Sequence, residues 1–176
     1  MTSCKTLILG GVRSGKSRLA ERLATDSQLA VTYIATATIH DEEMRERIAS
    51  HQSRRPDHWQ LIEEPIKLAS TLKNQAYTDR CILVDCLTLW LTNLLLHPDT
   101  SQFETERAAL LSILPTLAGR IILVSNETNM GVTPMGELSR RYCDEAGKLH
   151  QEIVQQCEQV ILTVAGLPQI LKGEAL

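Results

Sequence analysis

The stretch TLILGGVRSGKS, residues 6–17, decides the fold. A short apolar run leads directly into the pattern G-x-x-x-x-G-K-S, and an amphipathic segment follows it. A strand, a glycine-rich loop and a helix in this order form the context in which the pattern makes a phosphate-binding loop. The stretch therefore predicts such a loop rather than a chance glycine-rich turn.

The loop residues supply the groups that nucleotide phosphates need. Glycines let the backbone wrap with its N–H groups turned inward, and the positive end of the following helix adds to the attraction. Lys16 is expected to contact the β- and γ-phosphates as a catalytic cation, and the Ser17 hydroxyl to bind Mg²⁺. The nucleotide-binding residues predicted here are Gly10, Gly11, Val12, Arg13, Ser14, Gly15, Lys16 and Ser17.

Four further apolar runs, at residues 31–35, 81–84, 121–124 and 160–164, resemble the first. Most lack polar alternation, so both faces of each strand should be covered, as in a parallel sheet between helices. Two helices are predicted, one after Lys16 with the apolar face Leu19, Ala20, Leu23 and Ala24, and one over residues 136–157 with the face Leu138, Tyr142, Leu149, Ile153 and Cys157. We predict one doubly wound α/β domain spanning residues 1–176.

The composition of the chain indicates which classes of partner the protein binds and in which cellular compartment it is expected. A net charge of -3 and an aromatic content of 3% argue against a nucleic-acid-binding protein, which needs a basic face and stacking rings. The most apolar longer stretch, residues 87–96, is too short to span a bilayer, and the N-terminus does not resemble a secretory signal. The 5 cysteines form no CxxC pair and are predicted to be reduced and mostly buried. We expect a cytoplasmic protein.

The run CILVD ends in a carboxylate, Asp85. In nucleotide sites of this kind, a carboxylate at the end of a neighbouring strand holds the metal and its water shell. Asp85 also precedes the apolar segment 87–96, so it is plausible as the cap of a helix there. Together with the phosphate loop, the metal role is favoured, and the two roles do not exclude each other. The predicted metal ligands are Ser17 and Asp85.

The segment RIASHQSRRPDHW, residues 47–59, contains one histidine followed by a pair of arginines. His51 falls on the inward face of a helix predicted to begin near Thr38, where a packed core histidine is the simpler interpretation. Two features favour a functional role. Arg54 and Arg55 lie where they would neutralise phosphate charge, and the helix follows the second strand, near the sheet edge where ligands bind.

Together, the motifs GGVRSGKS, YIATA, RIASHQSRRPDHW, the Asp85 carboxylate and SNETNMG resemble one family, the bifunctional adenosylcobinamide kinase / adenosylcobinamide-phosphate guanylyltransferases of cobalamin biosynthesis. The resemblance covers essentially the whole chain, and H-x-x-x-R-P-x-x-W is its most specific part. It implies a RecA-like P-loop fold and a homotrimer. It also implies two reactions: phosphorylation of the aminopropanol hydroxyl of adenosylcobinamide by ATP or GTP, then transfer of GMP from GTP to adenosylcobinamide phosphate, which gives adenosylcobinamide-GDP.

The resemblance makes His51 the catalytic acceptor of GMP in a covalent intermediate. The further nucleotide contacts that it implies are Ala35, Thr36, Ala37, Gln52, Ser53, Arg54, Arg55, Glu63 and Asp85. The chain departs from the family pattern at two places. Some members have paired histidines before the Arg-Pro, whereas here Ser50 precedes His51, and Thr128 and Asn129 stand where a more apolar pair is expected.

An imidazole suits the second reaction because its unperturbed pKa of about 6.5 leaves a neutral nucleophile at cellular pH. The histidine–GMP bond is activated, so one hard step becomes two easier ones. Three rival functions stay open: a plain small-molecule P-loop kinase without a covalent intermediate, a RecA-like motor ATPase, and a non-catalytic nucleotide-sensing protein. One of the two arginines also fits a solvated turn, and Glu63 fits a surface carboxylate.

Overall fold

The structure is a computed structural model that describes residues 3–38 and 56–174. The helix predicted near Thr38 lies outside the described residues, and so do the predicted site residues His51, Gln52, Ser53, Arg54 and Arg55. The strands are β1 (Cys4–Gly10), β2 (Ala30–Ala35), β3 (Gln60–Glu63), β4 (Arg80–Asp85), β5 (Arg120–Asn126), β6 (Gln159–Val164) and β7 (Leu167–Lys172). The helices are α1 (Lys16–Asp26), α2 (Leu68–Gln75), α3 (Leu87–Leu95), α4 (Ser101–Ile113) and α5 (Glu137–Gln156), with a 3₁₀ turn at Leu114–Thr116.

The seven strands form one sheet in the order β3-β2-β4-β5-β1-β6-β7. All neighbouring pairs are parallel except β6 and β7, which are antiparallel. Strand β1, which leads into the glycine-rich loop, therefore lies inside the sheet between β5 and β6. The carboxyl ends of β1, β2, β4 and β5 meet at one edge, which is where ligands bind in open α/β sheets.

The core has two parts, one on each face of the sheet. Successive residues of a strand point to opposite faces, so Leu7 and Leu9 pack against one set of helices while Ile8 packs against the other. Helix α1 covers the face of Ile8, and helices α2 to α5 cover the face of Leu7. The predicted α/β fold with helices on both faces is confirmed.

The five predicted strands are present, and so are the helices predicted after Lys16 and over residues 136–157, with ends shifted by one or two residues. The apolar face of α1 is buried as predicted, and so are Leu149, Ile153 and Cys157 at the end of α5. Leu138 was predicted on the same buried face, and this is wrong: its side chain is 51% exposed. Periodicity identifies the apolar face of a helix, but not how far the sheet beneath it extends.

Two edge strands and a hairpin were not predicted. Strand β3 has only four residues, and Leu61 within it is exposed, so no apolar run marks it. Strand β7 folds back on β6 through Ala165 and Gly166, whose φ angles are 51° and 82°. A two-residue loop with positive φ at both positions is the favoured connection of a β-hairpin.

The five cysteines are free, as predicted. Cys81 and Cys157 are buried, whereas Cys4, Cys86 and Cys143 are only partly buried, so the prediction that most are buried is wrong. Burial raises the pKa of the Cys81 thiol to about 11 and that of the Cys157 thiol to about 12, so both are neutral at cellular pH. Across residues 3–38 and 56–174, no helix has both the length and the apolar character needed to cross a membrane.

Candidate nucleotide site

The loop between β1 and α1 has the backbone geometry of a phosphate cradle. The N-cap of α1 is Gly15, with φ 97°, a conformation that an L side chain rarely adopts. The Ser14 amide donates to the Gly11 carbonyl at 3.2 Å and closes a turn. An ideal Cβ placed on Gly11 would meet nothing within 4 Å, so the loop is open on that side. An open loop at the N-terminus of a helix fits a phosphate group.

The β6–β7 hairpin supports this loop from the neighbouring strand. The Gly166 amide donates to the Ser14 carbonyl at 2.8 Å. Gly10 lies so close to β6 that an ideal Cβ there would be 2.6 Å from the carbonyl oxygen of Thr163. The loop conformation therefore depends on a hairpin that lies about 150 residues further along the chain. Sequence analysis missed this contact, although the Ala165-Gly166 pair between two apolar runs was a usable hairpin signal.

Lys16 lies at the first position of α1, and its side chain is largely buried. Its ammonium group donates to the Gly11 carbonyl at 2.9 Å, so it folds over the loop. Burial lowers the pKa of Lys16, and electrostatic interactions with the neighbouring Cys86 and Asp85 oppose that shift. Lys16 and Asp85 are thus within electrostatic reach of each other, as a shared phosphate and metal site requires.

Asp85 ends β4, and the Tyr33 hydroxyl donates to its Oδ2 at 3.1 Å. The N-cap residue of α3 is Cys86, and no side chain caps that helix, so the structure does not support Asp85 as its cap. Ser17 is half-buried in the first turn of α1. Within residues 3–38 and 56–174, no three His, Cys, Asp or Glu side chains cluster. A hydroxyl and one carboxylate fit Mg²⁺, which takes its remaining ligands from water and phosphates.

Thr36 was predicted as a nucleotide contact, but its side chain is hydrogen-bonded within the protein. Its buried hydroxyl donates to the Cys86 carbonyl at 2.6 Å and accepts from the Cys86 amide at 2.9 Å. The Asn93 amide donates to the carbonyls of Thr36 at 2.8 Å and Pro65 at 3.1 Å, and the Asn93 side-chain oxygen accepts from Thr38 at 2.9 Å. Asn93, which sequence analysis missed, therefore holds the point where the chain leaves the carboxyl end of β2.

The predicted site residues are spread along the sheet edge. Ala35 lies opposite both Asp85 and Glu63 in the register of the sheet, with Ala37 two residues further on. Glu63 is exposed at the end of β3, four strands from β1. With strands about 4.8 Å apart, β3 lies about 19 Å from β1, whereas β4 lies about 10 Å from it. Lys16 and Asp85 therefore interact electrostatically beside the phosphate loop, Ser17 follows Lys16 in the first turn of α1, and Glu63 is separated from the loop.

A buried polar pair lies beneath the sheet edge on the α5 face. His150 Nε2 and Ser125 Oγ are 2.8 Å apart, and burial lowers the pKa of His150. The Thr88 hydroxyl accepts from the Asn126 amide at 2.7 Å. These contacts join α5, β5 and the start of α3. The sequence analysis did not single out His150, because a histidine within an amphipathic helix has no distinguishing pattern.

The family model for cobinamide kinase / cobinamide phosphate guanyltransferase matches residues 6–171. The chain belongs to this family. The match spans the phosphate loop, Asp85 and the segment with His51. The prediction that the chain is a bifunctional kinase and guanylyltransferase of cobalamin biosynthesis is therefore confirmed.

Similar proteins from three bacteria agree with this assignment. The chain is 65% identical over 172 residues to a bifunctional adenosylcobalamin biosynthesis protein, CobP, of Pseudomonas aeruginosa, with 98% of this chain and 99% of that protein covered. It is 36% and 34% identical to bifunctional adenosylcobalamin biosynthesis proteins, CobU, of Salmonella typhimurium and Escherichia coli. In both, 92% of this chain and 96% of the relative are covered.

Solved structures confirm the RecA-like P-loop fold of this cobinamide kinase / guanyltransferase. The RadB recombinase superposes with a TM-score of 0.51 at 17% identity, covering 90% of this chain and 73% of that one. A KaiC-like protein of Pyrococcus horikoshii gives a TM-score of 0.51 at 14% identity, covering 90% and 70%. At such low identity the likeness concerns the fold alone.

Proposed function

We propose that this chain phosphorylates the aminopropanol hydroxyl of adenosylcobinamide with ATP or GTP and then transfers GMP from GTP to adenosylcobinamide phosphate through a histidine–GMP intermediate. One domain, residues 1–176, carries both reactions. The observation that supports the proposal most is the electrostatic interaction of Lys16 with Asp85 beside the open glycine-rich loop, where Ser17 follows Lys16. Adenosylcobinamide-GDP is the final product.

In the first reaction the protein positions the nucleotide and neutralises charge. The loop amides and Lys16 bind the β- and γ-phosphates of the donor. Ser17 and Asp85 would hold Mg²⁺, which when bound would offset phosphate charge. The hydroxyl oxygen of the acceptor forms a bond to the γ-phosphorus as the bond to the β–γ bridging oxygen breaks. The electron pair leaves with the nucleoside diphosphate, and the hydroxyl proton passes to water.

In the second reaction the neutral imidazole of His51 attacks the α-phosphorus of GTP, and pyrophosphate leaves. The terminal phosphate of adenosylcobinamide phosphate then attacks the same phosphorus, and the imidazole leaves. A described contact at the start of the segment with His51 supports this role. Thr38 is hydrogen-bonded to Asn93 at the carboxyl edge of the sheet. Gln52, Ser53, Arg54 and Arg55 complete the nucleotide contacts in this proposal.

Labelling with GTP that is radioactive at the α-phosphate tests the covalent step. We expect wild-type protein to retain an acid-labile, base-stable label, and His51→Ala to retain none. The matched control is His58→Ala, because His58 is an exposed histidine in the same part of the chain and should label like wild type. A His51→Ala variant that labels like wild type would contradict the nucleotidyl role. Cobinamide phosphorylation without any label would favour the plain kinase.

The homotrimer is also part of the proposal. Large apolar side chains are exposed around the start of α5: Met130 at 76%, Val132 at 96% and Met135 at 95%. Large exposed apolar side chains that lie close together in the chain are typical of a protein–protein contact. Sedimentation equilibrium tests the proposal, and a monomer at micromolar concentration would contradict it.

A further inference from the structure

The carboxyl end of β5 lies between the two halves of the nucleotide site. In the sheet register Asn126 is paired with Gly10, the first glycine of the loop. On its other side β5 is paired with β4, where Asp85 lies opposite Val124. The Glu127 amide donates to the Gly10 carbonyl at 2.9 Å, so the pairing continues to the end of the strand. Asn126 therefore lies two residues beyond Val124, toward the edge where the nucleotide binds.

Alternation along the strands determines the direction of the Asn126 side chain. Val124 packs in the core on the α1 face, whereas Ser125 faces α5 and contacts His150. The next residue, Asn126, consequently points to the α1 face. Asp85 points to this face too, since its partner Tyr33 belongs to the same core. The phosphate loop precedes α1, so loop, carboxylate and Asn126 carboxamide share one side of the sheet.

The Asn126 carboxamide is available to a ligand. Its residue is half-buried, yet within residues 3–38 and 56–174 the side chain makes no hydrogen bond, and only its backbone amide is bonded, to Thr88. A polar group in this position is normally paired with protein or water. A carboxamide is also neutral, so it donates to a phosphate oxygen without competing with Lys16 or adding charge beside Asp85.

We propose that the Asn126 carboxamide donates a hydrogen bond to the γ-phosphoryl group during phosphorylation of the acceptor hydroxyl, which makes Asn126 a further catalytic residue. The donated bond strengthens as charge spreads over the γ-phosphoryl oxygens while the bond to the bridging oxygen breaks. The electron pair leaves with the nucleoside diphosphate, as described above. This inference rests on the proposed kinase reaction.

Steady-state phosphorylation of cobinamide tests the inference with Asn126→Ala, Asn126→Asp and the exposed-surface control Asn74→Ala on α2. Loss of one such donor typically lowers kcat by about 10²-fold. We expect this loss in kcat for Asn126→Ala, with KM for the nucleotide changed by less than about threefold. Asn126→Asp keeps the shape of asparagine but places an acceptor and a negative charge against the phosphate, so its kcat should be lower still. Asn74→Ala should match wild type.

Two results would overturn the inference: wild-type kcat in Asn126→Ala, or a kcat of Asn126→Asp equal to or above that of Asn126→Ala. Thermal unfolding of each variant shows whether it is folded. If Asn126→Ala is not folded, the isosteric variant Asn126→Asp replaces it in the test, and a wild-type kcat in Asn126→Asp overturns the inference. Wild-type protein that fails to phosphorylate cobinamide would refute the proposed function and this inference with it. If the wild type phosphorylates cobinamide and Asn126→Ala does so with an undiminished kcat, the inference is refuted but the proposed function is not.

Discussion

Gly10→Ala should distort the phosphate loop because there is no room for a methyl group between β1 and β6. An ideal Cβ at Gly10 would lie 2.6 Å from the carbonyl oxygen of Thr163 and 2.4 Å from the Ser14 hydroxyl oxygen. The Ser14 side chain can rotate away. The Thr163 oxygen belongs to the main chain of the paired strand β6, so the two strands must move apart.

The size of the effect follows from this contact. Forcing a methyl group into packed main chain costs about 1–3 kcal/mol of unfolding free energy. For a chain of this length, each kcal/mol lowers the melting temperature by about 2–4 °C. We therefore expect Gly10→Ala to melt about 4–8 °C below wild type for a cost of about 2 kcal/mol. Nucleotide affinity should fall as well, since Gly10 begins the loop.

Gly11→Ala is the matched control. A Cβ on Gly11 would meet nothing within 4 Å, and Gly11 is not among the residues with positive φ. Its melting temperature should stay within about 2 °C of wild type, because alanine in an allowed conformation is neutral or slightly stabilising. Thermal unfolding by circular dichroism and titration with a fluorescent GTP analogue measure both effects. Equal melting temperatures for the two variants would refute the steric argument.

Two further predictions concern buried polar groups. Thr36→Val removes the hydroxyl that is hydrogen-bonded to both the amide and the carbonyl of Cys86, so it should lower the unfolding free energy in urea by about 2–4 kcal/mol. The control Thr25→Val, at an exposed position, should lower it by less than about 0.5 kcal/mol. Equal losses of unfolding free energy in the two variants would contradict the role of Thr36. Burial lowers the pKa of His150 below its ordinary 6.5, so as the pH falls the unfolded chain takes up the proton before the folded chain does. At pH values under 6.5, this group should therefore lower the unfolding free energy of the wild type by at most about 1.4 kcal/mol for each pH unit. His150→Gln should be less sensitive to pH between 7.5 and 5 in the same assay, and parallel curves for both proteins would show that His150 is not the titrating group.

The sequence predicted those parts of the fold that depend on local pattern. Buried parallel strands are continuous apolar runs, so β1, β2, β4, β5 and β6 were predicted with nearly correct bounds. Strands β3 and β7 were missed because edge strands are covered on fewer sides and carry polar or exposed residues. Leu138 shows a similar limit, since it follows the apolar spacing of α5 although it is exposed.

Some residues of the candidate site were likewise predictable from local sequence, and others were not. Lys16, Ser17 and Asp85 were predicted from a contiguous motif and from a carboxylate at a strand end, and the structure places Asp85 within electrostatic reach of Lys16. Glu63 belongs to the same family pattern, yet it lies four strands from the phosphate loop. Thr36 was predicted as a nucleotide contact, but its hydroxyl is paired with Cys86. Strand order and hydrogen-bond partners are properties of distant segments, which a local pattern does not contain.

By itself, the amino-acid sequence determined the α/β class, the phosphate loop and the family, because each depends on short-range order: apolar runs, a glycine spacing and a histidine before Arg-Pro. Only the tertiary structure decided which residues share the nucleotide edge. Asn126 lies beside Gly10, and Gly166 supports Ser14, through contacts between segments more than one hundred residues apart. Backbone pairing in a parallel sheet creates these neighbours, and it leaves no mark on the local sequence because the paired groups are the same in every residue.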